Sequence, residues 1–363
     1  MSNEVEYQEL IAFHPGSYVE EIVEDLNMTQ AEFARRLGIS SKTVSKIISG
    51  EENVSPKTAT KLASLTGVSI QTWLNLQANY DAKVAEIEDR KSRDEQRVCR
   101  LIDFKYLKQN GFLPDKRYRV DEKIQALRKL LKVADLSQLL MFNAAVSYRR
   151  SHAVNEEKSI VNSNVMLELA MNQARDQATV AYDKRQLEKN LPLIKKFNLE
   201  KPEVFYPRLQ EILLACGIVL VALPHLPGAG LNGATKKFRN GSVLLMITDR
   251  NKNSDTFWFS LIHELGHIYG EDFYSNYNDQ EEYTAKEKKA DQFAANFFIP
   301  VDALIKFKAQ RRFTQKTVTA FAQRLGILPG IVVGRLQMDG VIGFNALNSL
   351  KTKYRVDLTP AKS

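Results

Sequence analysis

The sequence predicts an α+β chain that is mostly α: an N-terminal domain of five short helices, a helical connecting region, and a C-terminal α+β domain with a small sheet. Three observations predict it. Residues 15–80 carry a succession of helix start signals, each followed by an apolar stripe at helical spacing. From about residue 217 the pattern changes to a short apolar run and a hairpin signal, and helical spacing returns at Ser254. At 363 residues the chain is too long for a single compact core, so two or three domains are expected.

Taken in order, Ser17 is expected to open the first helix, which carries Val19, Ile22, Val23 and Leu26. Thr29 can cap the second, with Glu32 as its capping-box partner and Phe33, Ala34 and Leu37 as its stripe; Gly38 ends it. Ser40 can cap the third, which carries Val44, Ile47 and Ile48 and stops near Gly50. Ser55-Pro56 opens the fourth, with proline at the tolerated first position. Ser69 can cap a fifth through Trp73, Leu74 and Leu76. The charged stretch Glu86 to Arg100 reads as a solvated helix face, and Gly111–Pro114 and Asn190-Leu-Pro192 read as breaks. Gly217 to Leu223 reads as a buried strand, and Ala234–Phe238 and Val243–Thr248 as a hairpin around Arg239-Asn-Gly-Ser242.

Composition narrows the class. Apolar residues make up 44% and charged residues 26%, as in soluble globular chains. The longest apolar run, Ile218 to Leu223, falls far short of a membrane span, and the N-terminus shows no signal-peptide pattern. Cys99 and Cys216 form no Cys-x-x-Cys pair, which fits reduced thiols in a cytoplasmic protein. The net charge is +8, yet residues 1–80 hold six Lys and Arg against ten Asp and Glu. Local pattern, not bulk charge, must therefore carry any nucleic-acid argument.

That pattern is a helix-turn-helix. Counted from Gln30, apolar or small residues fall at Phe33, Ala34, Leu37, Ile39, Val44 and Ile47, with Gly38 at the turn. Ala34 must be small where the next helix crosses, and Gly38 permits the positive φ of a tight turn. Ser41, Lys42, Thr43 and Lys46 then face outward at the start of the third helix, where such proteins present base-reading side chains. Thr29 and Gln30 sit at a helix N-terminus, which favours phosphate.

The second motif is His263-Glu-Leu-Gly-His267 within Asp255–Gly270, a stretch that Ser254 can cap and Gly270 can end. Positions four apart share a helix face, so His263 and His267 can offer two imidazoles to one metal. Glu264 lies one residue off that face, which suits a general base acting on water beside the metal. A catalytic zinc has three protein ligands, and Glu287 on the next helical segment can be the third. Asp291, four residues on, can accept a hydrogen bond from a ligand imidazole. Tyr269, Tyr274, Tyr283 and His225 are candidates for stabilising an oxyanion, and Val243–Thr248 for pairing with an extended peptide. His14 and His152 read as incidental to this chemistry.

Two resemblances sharpen the reading. His14-Pro-Gly16, Thr29–Ser40, Ser55–Ala59 and Trp73–Asp81 resemble the HigA-type antitoxin branch of the Cro/C1 helix-turn-helix family, over residues 12–85. The resemblance implies a dimeric operator-binding protein that represses its own operon and neutralises a toxin. Gly217–Val221, Gly233-Ala-Thr, Phe257-Trp-Phe, His263–His267, Glu287–Ala294, Phe298-Ile-Pro300 and Phe321–Gln337 resemble the ImmA/IrrE family of metallopeptidase-like proteins, over residues 205–345. This implies a zincin-like domain with Zn2+ on His263, His267 and Glu287 and with Glu264 as general base. Residues 86–204 connect the two. Residues 316–337 also resemble a second helix-turn-helix, though Pro329 and the nearby glycines suit a packing element better. Two functions stay open: an antitoxin and autorepressor with a zinc domain, or a regulatory peptidase that cleaves a protein substrate and is delivered by its helix-turn-helix.

Overall fold

The computed structural model describes residues 3–141, 156–249, 253–273 and 280–354. The chain divides into two compact units, Met1–Gln96 and Arg97–Ser363.

The first unit opens with a hairpin that the sequence reading does not contain. Strand β1 (Glu4–Tyr7) pairs antiparallel with β2 (Leu10–Phe13). Helices α1 (Gly16–Asp25), α2 (Gln30–Leu37), α3 (Ser41–Ile48) and α4 (Pro56–Thr66) follow, then the start of α5 (Ile70–Leu101). The caps largely follow the sequence signals. Thr29, Ser40, Ser55 and Ser69 accept from the backbone amides of Glu32, Thr43, Thr58 and Thr72. Gly38 ends α2 at φ 62°, the left-handed conformation that glycine adopts without strain.

Two details differ. Ser17 lies inside α1, and its hydroxyl donates to the carbonyl of His14, so it does not cap. Glu32 pairs with Arg36 at 2.9 Å, an i,i+4 ion pair that takes its carboxylate away from a capping box. Val19, Phe33, Ala34, Leu37, Val44, Ile47, Leu62 and Trp73 form the core. At Gly16 a β-carbon would lie 1.9 Å from the carbonyl oxygen of Ile47, so α1 and α3 approach more closely than any side chain at 16 allows. His14 is fully buried, accepts from the Gly16 amide at 3.0 Å and meets Tyr80 edge-on. It is a structural residue of this unit.

The second unit is built around a three-stranded sheet of order β3 (Ile218–Leu223), β5 (Val243–Thr248), β4 (Gly233–Lys237). β3 is parallel to β5, and β4 returns antiparallel through the anticipated hairpin, whose Gly241 has φ 85°. Because β5 is paired on both sides, it has no free edge; the expectation that Val243–Thr248 could pair with a peptide is corrected.

Alternate residues of the strands serve two cores. Val219, Val221, Leu244 and Met246 join the core that contains α7 (Val120–Leu131) and α8 (Glu156–Ala174), which follow α6 (Phe104–Gln109). Ile218, Leu220, Val243, Leu245 and Ile247 join the core of α9 (Lys184–Lys196), α10 (Pro202–Ala215) and α11 (Ser254–Tyr269). α9 runs through Pro192, which is therefore no break; Leu187 and Ile194, buried on one side of it, hold the helix despite the lost hydrogen bond. Ser254 is the first residue of α11, with Asn253 at the cap position, and its amide donates to Thr352.

Helix α12 (Gln280–Phe298) packs against α11. At their crossing a β-carbon on Gly266 would lie 3.2 Å from Cα of Ala290, so this glycine sets how closely the helices meet. Helices α13 (Val301–Lys308), α14 (Gln315–Leu325) and α15 (Pro329–Met338) complete the unit. α15 buries Val332, Val333 and Leu336, so in the helix-turn-helix-like segment 316–337 the second helix faces the core. Among the described residues no single helix is long and apolar enough to cross a membrane. Cys99 and Cys216 are buried, and neither forms a disulfide among the described residues.

Candidate metal centre and DNA-reading face

In the second unit, α11 places His263 and His267 one turn apart, and their Nε2 atoms lie 3.1 Å from each other. α12 brings Glu287 to the same point, with its carboxylate oxygens 3.4 Å from His263 Nε2 and 3.3 Å from His267 Nε2. One ligand atom from each of the three residues lies within 4.8 Å of the others. Asp291, one turn further along α12, stands 2.8 Å from His263 Nδ1. A carboxylate only accepts, so Nδ1 carries the hydrogen and donates, which leaves the Nε2 lone pair directed at the cluster.

Glu264 is 2% exposed, His267 1% and His263 8%. The carboxylate of Glu264 lies against the start of β4, where a β-carbon on Gly233 would come within 2.6 Å of its Cγ.

These groups line a cleft of about 450 Å³ with Gly230, Asn232, Phe259, Ser260, Tyr283 and Thr284. A second cavity of about 640 Å³ shares Asn232, Phe259 and Ser260 with it and continues past Phe298, Ile331 and Phe344. Among the described residues the cleft lining holds three carboxylates, Glu264, Glu287 and Asp291, and no Lys or Arg. Such an excess of negative charge in a half-closed cleft calls for a cation. The effect is visible on His263. Burial opposes its charge, but Asp291, Glu287 and Glu264 outweigh burial and push its pKa up to about 9. Two imidazoles and a carboxylate on two helices, with one side open to the cleft, fit a three-ligand zinc site.

Of the proposed oxyanion groups, Tyr283 lines the cleft. Tyr269 points elsewhere and donates to Glu188 at 2.9 Å. His225 is not in the lining; its amide donates to Asp249. Tyr274 and His152 lie outside the described residues. Gly233 and Gly266 also shape the site, through the close approach of Glu264 and of Ala290. Both act through contacts between separate elements, for which the sequence offers no local signal.

In the first unit, Ser41 and Lys42 are exposed in the first turn of α3, and Lys46 is half-buried one turn on. Thr43 is half-buried, and its hydroxyl is 2.9 Å from that of Ser40. Thr29 and Gln30 are exposed at the N-terminus of α2. The structure thus brings five of the six residues to the first turns of two consecutive helices, with Lys46 one turn further along α3.

Comparison with known proteins follows this division. A family model described as Helix-turn-helix matches residues 19–73. An uncharacterized HTH-type transcriptional regulator of Escherichia coli is 36% identical over 88 residues, 24% of this chain and 89% of that protein. This chain belongs to the helix-turn-helix family. Virulence-associated protein I of Dichelobacter nodosus is 32% identical to this helix-turn-helix protein over 85 residues, 23% of this chain and 78% of that one. The solved structure of an addiction module antidote protein of a HigA family from Coxiella burnetii is 33% identical, covers 22% of this chain and 89% of its own, and has a TM-score of 0.22. The C-terminal part of the helix-turn-helix protein matches a second family model, the IrrE N-terminal-like domain of peptidase type, over residues 222–337. That match spans β4, β5 and the helices carrying the metal-ligand cluster.

Proposed function

We propose that this chain is an antitoxin-type autorepressor whose C-terminal domain is a zinc-dependent peptidase. The carrying observation is the convergence of His263, His267 and Glu287 to within 4.8 Å beside the buried Glu264, in a cleft lined by three carboxylates and, among the described residues, no Lys or Arg. In this reading Ser41, Lys42, Thr43 and Lys46 contact operator bases and phosphates, and Thr29 and Gln30 anchor a phosphate. A homodimer reads a two-fold operator, and a cognate toxin binds the same chain. Work on operator DNA puts it in the cytoplasm. The antitoxin assignment rests on the resemblance of Thr29–Ser40 and Trp73–Asp81. The regulator assignment also rests on the Escherichia coli relative.

Zinc bound by His263, His267 and Glu287 supplies Lewis acidity toward water and a peptide carbonyl. Glu264 takes the proton of the attacking water and passes it to the leaving amine. Its wall of β4 backbone keeps the carboxylate from swinging away. Asp291 fixes the tautomer of His263, and Tyr283, which lines the cleft, donates to the developing oxyanion.

A second reading makes peptidase activity primary, with a separate repressor or partner protein as substrate and the helix-turn-helix as its means of delivery. The 640 Å³ cavity continuous with the cleft favours it, because it offers room for residues beside a scissile bond. Two assays on the full chain decide. The autorepressor reading requires a mobility shift of the DNA upstream of its own gene, and no shift would sink it. The peptidase reading requires cleavage products of a co-expressed partner with the wild type and none with Glu264→Gln; identical product patterns would sink that one.

A further inference from the structure

Residues 303–338 contain seven Lys and Arg and not one Asp or Glu. Two of the seven are committed: Lys308 lies 2.6 Å and Arg335 2.9 Å from the carboxylate of Asp339. The other five, Lys306, Arg311, Arg312, Lys316 and Arg324, are exposed and have no ion-pair partner among the described residues. They lie on α13, on the connection 309–314 and on α14. Phe307 and Phe321 stack with ring centres 4.1 Å apart, which fixes the spacing of the two helices and so of the charges they carry.

Arg324 borders a groove of about 650 Å³ that is also lined by Phe307, Gln310, Thr317, Ala320 and Gln323. Its Gln310 and Gln323 amides and its Arg324 guanidinium can donate to phosphate oxygens, while the Thr317 hydroxyl already donates to the carbonyl oxygen of Arg312. The eleven-residue α14 has no acidic residue in its first turn, so no carboxylate offsets the positive end of its dipole.

The charge distribution along the chain gives this face its meaning. Residues 1–96, which contain the helix-turn-helix, hold ten Lys and Arg against sixteen Asp and Glu, a net of −6. The remaining residues hold forty-one against twenty-seven, a net of +14. Phosphate neutralisation supplies most of non-specific DNA affinity, and a net-negative reading unit supplies little of it. A protein partner would ask for an apolar anchor at the centre of the patch. Here Phe307 is buried, and the groove offers mainly Gln, Thr and Arg. α15, the second helix of the helix-turn-helix-like segment, faces the core and is not free to read bases.

We propose that the α13–α14 face binds the phosphate backbone of duplex DNA without regard to sequence, as a second DNA-contacting surface of the chain. It supplies salt-sensitive affinity, while the first turns of α2 and α3 supply sequence preference. The proposal does not depend on the metal centre.

The test is fluorescence anisotropy of the full chain on two labelled duplexes of about 30 base pairs, one of arbitrary sequence and one from upstream of its gene, titrated with salt. The variant is Lys306→Gln with Arg312→Gln and Lys316→Gln. The slope of log affinity against log salt should become shallower by roughly 2 to 3, at about 0.9 per lost phosphate contact. Affinity for the arbitrary duplex should fall about tenfold or more, with the preference for the upstream duplex unchanged. Arg311→Gln with Arg324→Gln repeats the measurement, so a folding defect in one variant is not read as lost binding. Unchanged slope and affinity in both variants overturn the proposal. So does loss of binding to polyglutamate with DNA binding intact, which would make this a face for an acidic protein.

Discussion

A β-carbon on Gly233 would lie 2.6 Å from Cγ and 2.7 Å from Oε1 of Glu264, so the buried carboxylate occupies the space that any other residue at 233 would need. The general-base candidate thereby lies against the backbone at the start of β4. Gly233→Ala should cost about 1–3 kcal/mol as an overpacking change. The same substitution in a Glu264→Ala background should cost much less, because the colliding atoms are gone. Denaturant unfolding of the two single variants and the double variant measures the coupling. Additive costs would mean that the two residues do not compete for space.

Metal content tests the cluster directly. Wild-type protein should hold zinc near one per chain, and His263→Ala and Glu287→Ala should each lose it. Zinc retained in Glu287→Ala would remove the third ligand from the assignment. Asp291→Ala should weaken zinc binding by about tenfold, the low end for such partners, since its side chain is 59% exposed. Competition with a chromogenic chelator reads all four proteins.

Much of this site is legible in the sequence because its spacing is local. His263 and His267 sit one turn apart, and Glu287 and Asp291 repeat that spacing on α12. The caps at Thr29, Ser40 and Ser55 are likewise set within three residues of the groups they bind. What is not legible depends on distant contacts. Gly233 and Glu264 are thirty-one positions apart, and no periodicity links them. The hairpin of β1 and β2 escapes because its strands are only four residues long. Pro192 sits within a helix because packing of Leu187 and Ile194 outweighs a local breaker. The free edge expected at Val243–Thr248 fails for a related reason: a continuous apolar run does not say whether a strand is central.

Gly16 should be as intolerant as Gly233. A β-carbon there meets the carbonyl oxygen of Ile47 at 1.9 Å, and backbone cannot rotate aside as a side chain can. Gly16→Ala should destabilise the first unit by about 3 kcal/mol and weaken DNA binding with it. In a Trp258→Phe background, Trp73 alone reports the unfolding of that unit, since it is the tryptophan of its core. An unchanged unfolding midpoint would show that α1 and α3 can separate without cost.

The recognition face is tested by Lys42→Ala with Lys46→Ala. Lys42 is exposed and Lys46 half-buried one turn apart on α3, and neither is part of the core. Stability should therefore change by less than about 0.5 kcal/mol. Affinity for DNA upstream of the gene should fall about tenfold or more, at roughly 1–3 kcal/mol per good base contact. A mobility shift equal to that of the wild type would move the reading surface away from α3.

His14 gives the first unit a pH dependence whose sign follows from its surroundings. Burial lowers its pKa below 6.5, against the opposing pull of Asn53, Asp81 and the Ile47 backbone. Its Nδ1 accepts from the Gly16 amide, which needs a neutral ring. Above pH 6.5 the imidazole is neutral in both folded and unfolded chains and contributes no slope. Below it the unfolded chain binds the proton first, so stability falls with pH until the folded-state pKa is passed. The unfolding midpoint read from Trp73 should decline as the pH is lowered below about 6.5. His14→Asn, which keeps an acceptor for the Gly16 amide but does not titrate, should remove that decline. Equal slopes in the two proteins would place the acid sensitivity on other groups.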